Sequence, residues 1–245
     1  MANNMKKPIG VICAMESELN DLLQNLEDRR DITHYGYTFY EGHFSGTPAV
    51  LVQCGIGKVN AARGTQMLLD YFEPQCVVNS GIAGGTAPGL SVGDVVIGTD
   101  LVQHDFDATG CGYVVGYMFT GEDGNKPTLY TADPKLVDAL EASARKAAPE
   151  RGIHRGRIAT VDQFISSTEQ KQRILSLFNA TCAEMESGAI AQTCQCASVP
   201  FGILRVVSDL ADGSASESFE TFEKETADLS AAILLNFLHG VGQDA

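Results

Sequence analysis

The sequence predicts an α/β fold: a single three-layer domain around a twisted mixed, mostly parallel sheet. Two observations carry that expectation. Apolar, β-branched runs alternate along the 245 residues with helical patterns. Several of those runs, such as CVVNSG at 76–81 and VPFGILRVVSD at 199–209, are nearly continuous rather than alternating, as strands covered on both faces are. The length is enough for one large core, and 44% hydrophobic with 20% charged residues is ordinary for a globular chain. No repeat or low-complexity linker divides it. Residues 1–8 read as a disordered lead, 9–240 as the domain and 241–245 as a tail.

In chain order, IGVICAM (9–15) reads as a first strand. ESELNDLLQNLEDR reads as a helix, with Leu19, Leu22, Leu23 and Leu26 at helical spacing. THYGYTFYEGHF (33–44) and TPAVLVQCGIG (47–57) read as a hairpin joined by Ser45-Gly46. KVNAARGTQMLLDYF (58–72) is a helix stopped by Pro74. CVVNSG and DVVIGTDLVQHD (94–105) are strands, and 106–130 is an irregular Gly- and aromatic-rich loop. The helix at 133–148 has Asp133 as cap and Pro134 in its first turn. HRGRIATVDQFI (154–165) is a strand, TEQKQRILSLF a helix capped by Thr168, and CAEM (182–185) a short strand before ESGAIAQTCQCA. VPFGILRVVSD is the last strand, and a helix over 219–240 closes the chain.

Charge narrows the function. With 17 basic and 31 acidic residues the formal charge is −14, which repels phosphate backbones and anionic membranes. No run approaches the ~20 apolar residues of a membrane span, and the N-terminal apolar stretch, interrupted by Glu16, makes a marginal secretory signal. The cysteines number seven, an odd count spread through apolar runs, as in a cytoplasmic chain that keeps its thiols reduced. Cys194 and Cys196 are spaced CQC without a histidine cluster, which favours helix packing over a metal site. Neither metal nor cofactor is called for.

Ligands of open α/β sheets bind beyond the carboxyl ends of the strands. Past these strand ends lie Glu16 and Glu18, GIGK (55–58), GIAGG (81–85), Asp162-Gln163-Phe164, Glu186 and Ser208-Asp209. GIGKVN lacks the third glycine of a dinucleotide fingerprint and the Ser or Thr of a P-loop. The glycines therefore fit close approach to an uncharged ligand, with a tight turn as the alternative for GIAGG. A buried Asp209 would hold its proton toward neutral pH and serve as a general acid, or would simply cap the next helix. Arg205 lies an even number of residues before it, so a regular strand would turn both to one side; it is either a catalytic partner or one half of a buried ion pair.

Taken together and in order, IGVICAMESE, SGIGKVNAA, NSGIAGG, VDQFI, AEMES and RVVSDLAD resemble the 5′-methylthioadenosine/S-adenosylhomocysteine nucleosidases of the purine nucleoside phosphorylase-like superfamily. The resemblance spans nearly the whole chain. It implies a single α/β domain, usually paired as a homodimer, that hydrolyses the bond between adenine N9 and ribose C1′. On that resemblance Asp209 protonates adenine N7 with Ser208 orienting it, and Glu18 activates water. Arg205 sits near the water and orders the carboxylates, and Glu184 of the AEMES stretch and Ile82 count among the substrate-binding residues. Glu186 holds the ribose hydroxyls, Met185 packs under the sugar, Phe164 stacks on adenine and the Ile165 backbone reads its edge. Ile56, Met15, Ala83, Gly84 and Phe219 line the pocket.

Two departures stand out. Ile82 occupies a turn position where relatives often carry Ser, and Cys111 stands near a common aromatic position, followed by Tyr113 and Phe119. Ile82 cannot donate the hydrogen bond that Ser would give the water or sugar region, which leaves the water to Glu18 and Arg205. The Cys111 region bears on the 5′ substituent, and relatives that cleave 6-amino-6-deoxyfutalosine share nearly all these motifs. A phosphorolytic nucleoside phosphorylase is the other enzymatic reading; a non-catalytic nucleoside-binding protein and a nicotinamide-dependent dehydrogenase are the others. The partners expected are a nucleoside substrate and a second copy of the chain, with the 106–130 loop near the neighbouring pocket.

Overall fold

The computed structural model describes residues 7–120 and 123–241. Among these residues, ten strands and six α-helices alternate much as the hydropathy pattern predicts. The expectations for residues 1–6 and 242–245 lie outside the described residues. Pro8 is already in place, its carbonyl accepting the Gln75 N–H at 2.9 Å.

Strand β1 (Ile9–Cys13) is buried at every residue and leads into α1 (Glu16–Gln24). The leucine spacing predicts a longer helix, but α1 ends at Gln24 and Glu27–His34 form strand β2. Leu19 and Leu22 bury their side chains from the helix, while Leu26 is buried from beyond it. The 33–44 run is likewise split: Tyr35 and Gly36 both take positive φ, turning β2 into β3 (Tyr37–Phe44). Ser45-Gly46 then turns β3 into β4 (Thr47–Gln53) in the expected hairpin.

Helix α2 (Lys58–Phe72) has the expected bounds and stops at a left-handed Glu73 before Pro74. Strand β5 (Cys76–Gly85) runs through GIAGG, so that motif is strand and not a tight turn. After β6 (Val95–Gln103) the irregular stretch holds one short 3₁₀ turn and ends in the two-residue β7 (Tyr130–Thr131). Helix α3 (Pro134–Ala147) is capped by Asp133, whose carboxylate accepts the Lys135 and Leu136 N–H groups. Strand β8 (Ile153–Thr160) precedes α4 (Thr168–Phe178), whose cap is Ser167 rather than Thr168: the Ser167 hydroxyl accepts the Gln170 N–H. Strand β9 (Cys182–Glu184), α5 (Ser187–Cys196) and β10 (Phe201–Asp209) follow. Helix α6 (Ala215–Val241) starts four residues before the expected 219.

The sheet is mixed, in the order β10-β6-β8-β9-β5-β1-β4-β3-β2. Because β10 also pairs with β5 in parallel, strands β5, β10, β6, β8 and β9 close into a ring. That closure draws together the ends of β5, β8, β9 and β10. Helices α1, α3 and α6 pack together, as do α2 and α5, giving the outer layers. Among the described residues no helix is long and apolar enough to cross a membrane, and all seven cysteines are free thiols.

Candidate active site

The chain places most of its buried carboxylates at one end of the sheet, around a mostly apolar cavity that opens to solvent. The lining includes Glu18, Glu184, Glu186, Ser208 and Asp209, and with them Met15, Ile56, Ile82, Ala83, Gly84, Phe164, Ile165, Met185 and Phe219. Arg205 is the one expected site residue that lies behind this wall. Ala14, Gln163 and Ala183 also line the cavity; only Gln163 had a signal, its place beside Phe164 at a strand end.

Glu18 sits at the third position of α1 and reaches back over the helix start. Its Oε2 accepts the N–H groups of Ala14 (2.8 Å) and Met15 (3.0 Å), satisfying donors a helix N-terminus leaves free. Its Oε1 accepts the Ile82 N–H from β5 at 3.2 Å. Burial raises the Glu18 pKa, against the opposing pull of Arg205 and these three amides. Glu16, the other acid of that turn, is exposed.

Gly81 explains part of GIAGG. A β-carbon there would land on Glu18 Oε1 and stand 2.6 Å from Arg205 Nη1. At Gly84 it would stand 2.8 Å from Asp209 Oδ1. These glycines leave room for ionisable side chains.

Asp209 ends β10. Its Oδ2 accepts the Ser208 hydroxyl at 2.9 Å, and its Oδ1 accepts the Ala211 N–H at 2.8 Å. Helix α6 begins only at Ala215, so Asp209 caps no helix. Burial pushes its carboxyl above the usual aspartate range, although the Ala211 N–H and the Ser208 hydroxyl favour the ionised form.

Arg205 does not pair with Asp209. The β10–β5 register slips between Val207 and Asp209, so even spacing no longer implies a common face. Its Nη2 donates instead to Glu184 Oε2 (2.7 Å), Asn79 Oδ1 (2.5 Å) and Ser187 Oγ (2.8 Å), all buried. This is the ion-pair alternative, with the partner on a neighbouring strand end. Glu184 also accepts the Thr160 hydroxyl and, through Oε2, the backbone N–H groups of Glu186 and Ser187. Burial alone would raise the Glu184 pKa; Arg205 and these hydrogen bonds outweigh it and hold the carboxyl below its ordinary value. The sequence signal for Asn79 was its polar side chain in the apolar CVVNSG run.

Glu186 faces the other way in charge. Its Oε1 accepts the Gly57 N–H at 2.9 Å, and its Oε2 stands 4.0 Å from Arg205 Nη2. Burial, then the adjacent Glu184 carboxylate, push its pKa up to about 8. Phe164 and Phe219 meet edge to face, with ring centres 5.6 Å apart, at the cavity mouth. Among the described residues, no cluster of three or more His, Cys, Asp or Glu side chains could hold a metal ion.

The arrangement combines apolar walls, two aromatic rings and four carboxyl groups with displaced proton affinities, as acid–base work on an uncharged, partly aromatic ligand requires. Known proteins carry the same framework. The phosphorylase superfamily profile matches residues 8–239. A 5′-methylthioadenosine/S-adenosylhomocysteine nucleosidase from Exiguobacterium sp. is 42% identical over 225 residues, covering 91% of this chain and 94% of the relative. The crystal structure of the nucleosidase of that name from Neisseria meningitidis, in complex with methylthio-immucillin-A, superposes with a TM-score of 0.89 at 38% identity, covering 96% of this chain and 99% of that one. S-adenosylhomocysteine nucleosidase from Streptococcus pyogenes, in complex with 5-methylthiotubericidin, gives a TM-score of 0.89 at 36% identity, covering 98% and 99%. The chain belongs to the 5′-methylthioadenosine/S-adenosylhomocysteine nucleosidase family, within the phosphorylase superfamily.

Proposed function

We propose that the protein hydrolyses the N-glycosidic bond of 5′-methylthioadenosine and S-adenosylhomocysteine, releasing adenine and the thioribose product. The observation that carries this reading is the meeting of Glu18 and Asp209 at one cavity, each with a pKa raised by burial. Cleavage passes through an oxocarbenium-like state, and adenine leaves readily only when protonated. Asp209, held by Ser208 and the Ala211 N–H, donates its proton to N7 as the C1′–N9 bond breaks. Glu18 takes a proton from water as its oxygen bonds to C1′, the division of labour of inverting glycoside hydrolysis.

The remaining roles are those the family resemblance implies. Glu186 accepts the ribose hydroxyls, and Met185 packs beneath the sugar. Phe164 lies against the purine, with Phe219 meeting its edge, and the Ile165 backbone reads the purine edge. Met15, Ile56, Ile82, Ala83 and Gly84 complete the walls. Arg205 acts from behind, fixing Glu184 and lowering the cost of ionising Glu18. Water, rather than phosphate, is the acceptor: among the described residues no Lys, Arg or His lines the cavity, and Arg205 Nη2 is already shared among three partners.

A second copy of the chain completes the mouth. Ile56 and Val59 are exposed beside it. Lys58 bonds Asp105, at the start of the aromatic loop whose Phe119 is also exposed. Those apolar groups suit a paired surface. The seven free thiols suit the reducing cytoplasm.

The test is chromatographic. Adenine should appear from both nucleosides at the same rate with and without phosphate, and no ribose phosphate should form. Absence of adenine, or a requirement for phosphate, overturns the reading. Running 6-amino-6-deoxyfutalosine alongside fixes the 5′ preference.

A further inference from the structure

Lys58 is not part of the cavity wall, yet three segments of the rim converge on it. Its ammonium bonds both oxygens of Asp105, at 2.6 and 2.7 Å, and stands 3.7 Å from Asp162 Oδ2. Its backbone N–H donates to Asp162 Oδ1 at 2.8 Å. The Asp162 N–H in turn donates to Asp105 Oδ2 at 3.3 Å. One residue earlier, the Gly57 N–H holds Glu186.

Successive amides at the start of α2 thus engage carboxylates from two different segments, as the positive end of a helix favours. Gly57 takes φ +99°, and a β-carbon there would crowd Asp162 Oδ1 at 3.2 Å. The side chain of Lys58 is only 18% exposed. It neutralises two aspartates that would otherwise repel each other at the mouth of a strongly acidic protein.

We propose that Lys58 is a positioning residue for nucleoside binding, clamping the 162–165 segment and the start of the 105–120 loop against the turn that holds Glu186. That segment carries Gln163, Phe164 and Ile165 into the cavity. Lys58 touches neither the cavity nor the reacting atoms, so its effect falls on binding more than on chemistry. The inference rests on the proposed nucleosidase activity.

The experiment compares Lys58→Met, Lys58→Arg and Asp105→Asn with wild type on 5′-methylthioadenosine. Lys224→Met, which removes an exposed ion pair elsewhere on α6, is the control. Hydrogen exchange over 161–166 is followed in parallel. K58M should raise KM about tenfold with kcat within about threefold, and exchange over 161–166 should quicken. D105N should move both readouts the same way and serves if K58M folds poorly. K58R should recover part of the loss, and K224M should match wild type. Wild-type KM and exchange in both K58M and D105N would overturn the proposal, as would a fall in kcat at unchanged KM. If wild type releases no adenine, the activity reading fails by itself. The exchange comparison, which needs no turnover, still decides the clamp.

Discussion

Glu18 and Asp209 meet the same strand two residues apart. Glu18 accepts the Ile82 N–H, and Asp209 stands where a β-carbon on Gly84 would be crowded at 2.8 Å. The proposed acid comes from the end of β10 and the proposed base from the first turn of α1, just after β1, and β5 lies between β1 and β10. Their separation is therefore set by the sheet and not by a loop, the rigidity a paired acid and base need.

Replacing Asp209 by Asn keeps the shape and the Ala211 hydrogen bond but removes the transferable proton. Adenine release from 5′-methylthioadenosine should fall by about 10²–10⁴-fold. Calorimetric affinity for the same nucleoside should stay within about tenfold. Near-normal turnover in this variant would assign the acid to another group.

Ser208 offers a test with a sign. Its hydroxyl donates to Asp209 and favours the ionised form, so Ser208→Ala should raise the Asp209 pKa further. The proposed mechanism needs Asp209 protonated, so on it activity is lost as pH rises through that pKa. The alkaline limb of kcat/KM should therefore move to higher pH in S208A. A shift to lower pH, or none, would contradict the role given to Asp209.

The glycines of GIAGG make a steric prediction. Gly81→Ala sets a methyl against Glu18 Oε1 and Arg205 Nη1, both fixed by other bonds. One of them must move. Stability should drop by about 1–3 kcal/mol in chemical denaturation, as for overpacked cores. Turnover should drop further than the same change at exposed, open Gly213, where an added β-carbon meets nothing.

Much of this was legible because each signal was local. Continuous apolar runs gave the buried strands, and the Asp133-Pro134 pair gave the start of α3. The strand-end rule collected Glu18, Phe164, Glu186, Ser208, Asp209 and the two glycine motifs, since side chains at the ends of adjacent strands must meet; Met15, Glu184, Met185, Ile165 and Phe219 came only with the family resemblance. What escaped depended on pairing between distant segments. The ring closure through β10–β5 leaves no mark in either strand alone. The bulge near Val207 turned Asp209 away from Arg205's face, and an even residue count cannot reveal a slipped register. The early end of α1 reflects β2 pairing with β3, which overrides the leucine spacing at Glu27 and beyond.

Glu186 gives the last prediction, and it concerns stability without substrate. Its carboxyl ordinarily titrates near 4.5, and in the fold burial and Glu184 push it up to about 8. The folded state therefore binds this proton more tightly than the unfolded chain does. The resulting stabilisation is complete below pH 4.5, declines as pH rises, and is gone above about 8, where the fold must carry the buried charge. Glu186→Gln is neutral throughout and can still accept the Gly57 N–H. Its thermal midpoint should track wild type below pH 4.5, exceed it by a growing margin between 4.5 and 8, and hold a constant advantage above. A ligand whose hydroxyls donate to the ionised carboxylate should narrow that margin in wild type alone. A margin independent of pH would mean that Glu186 titrates alike in the folded and unfolded chains.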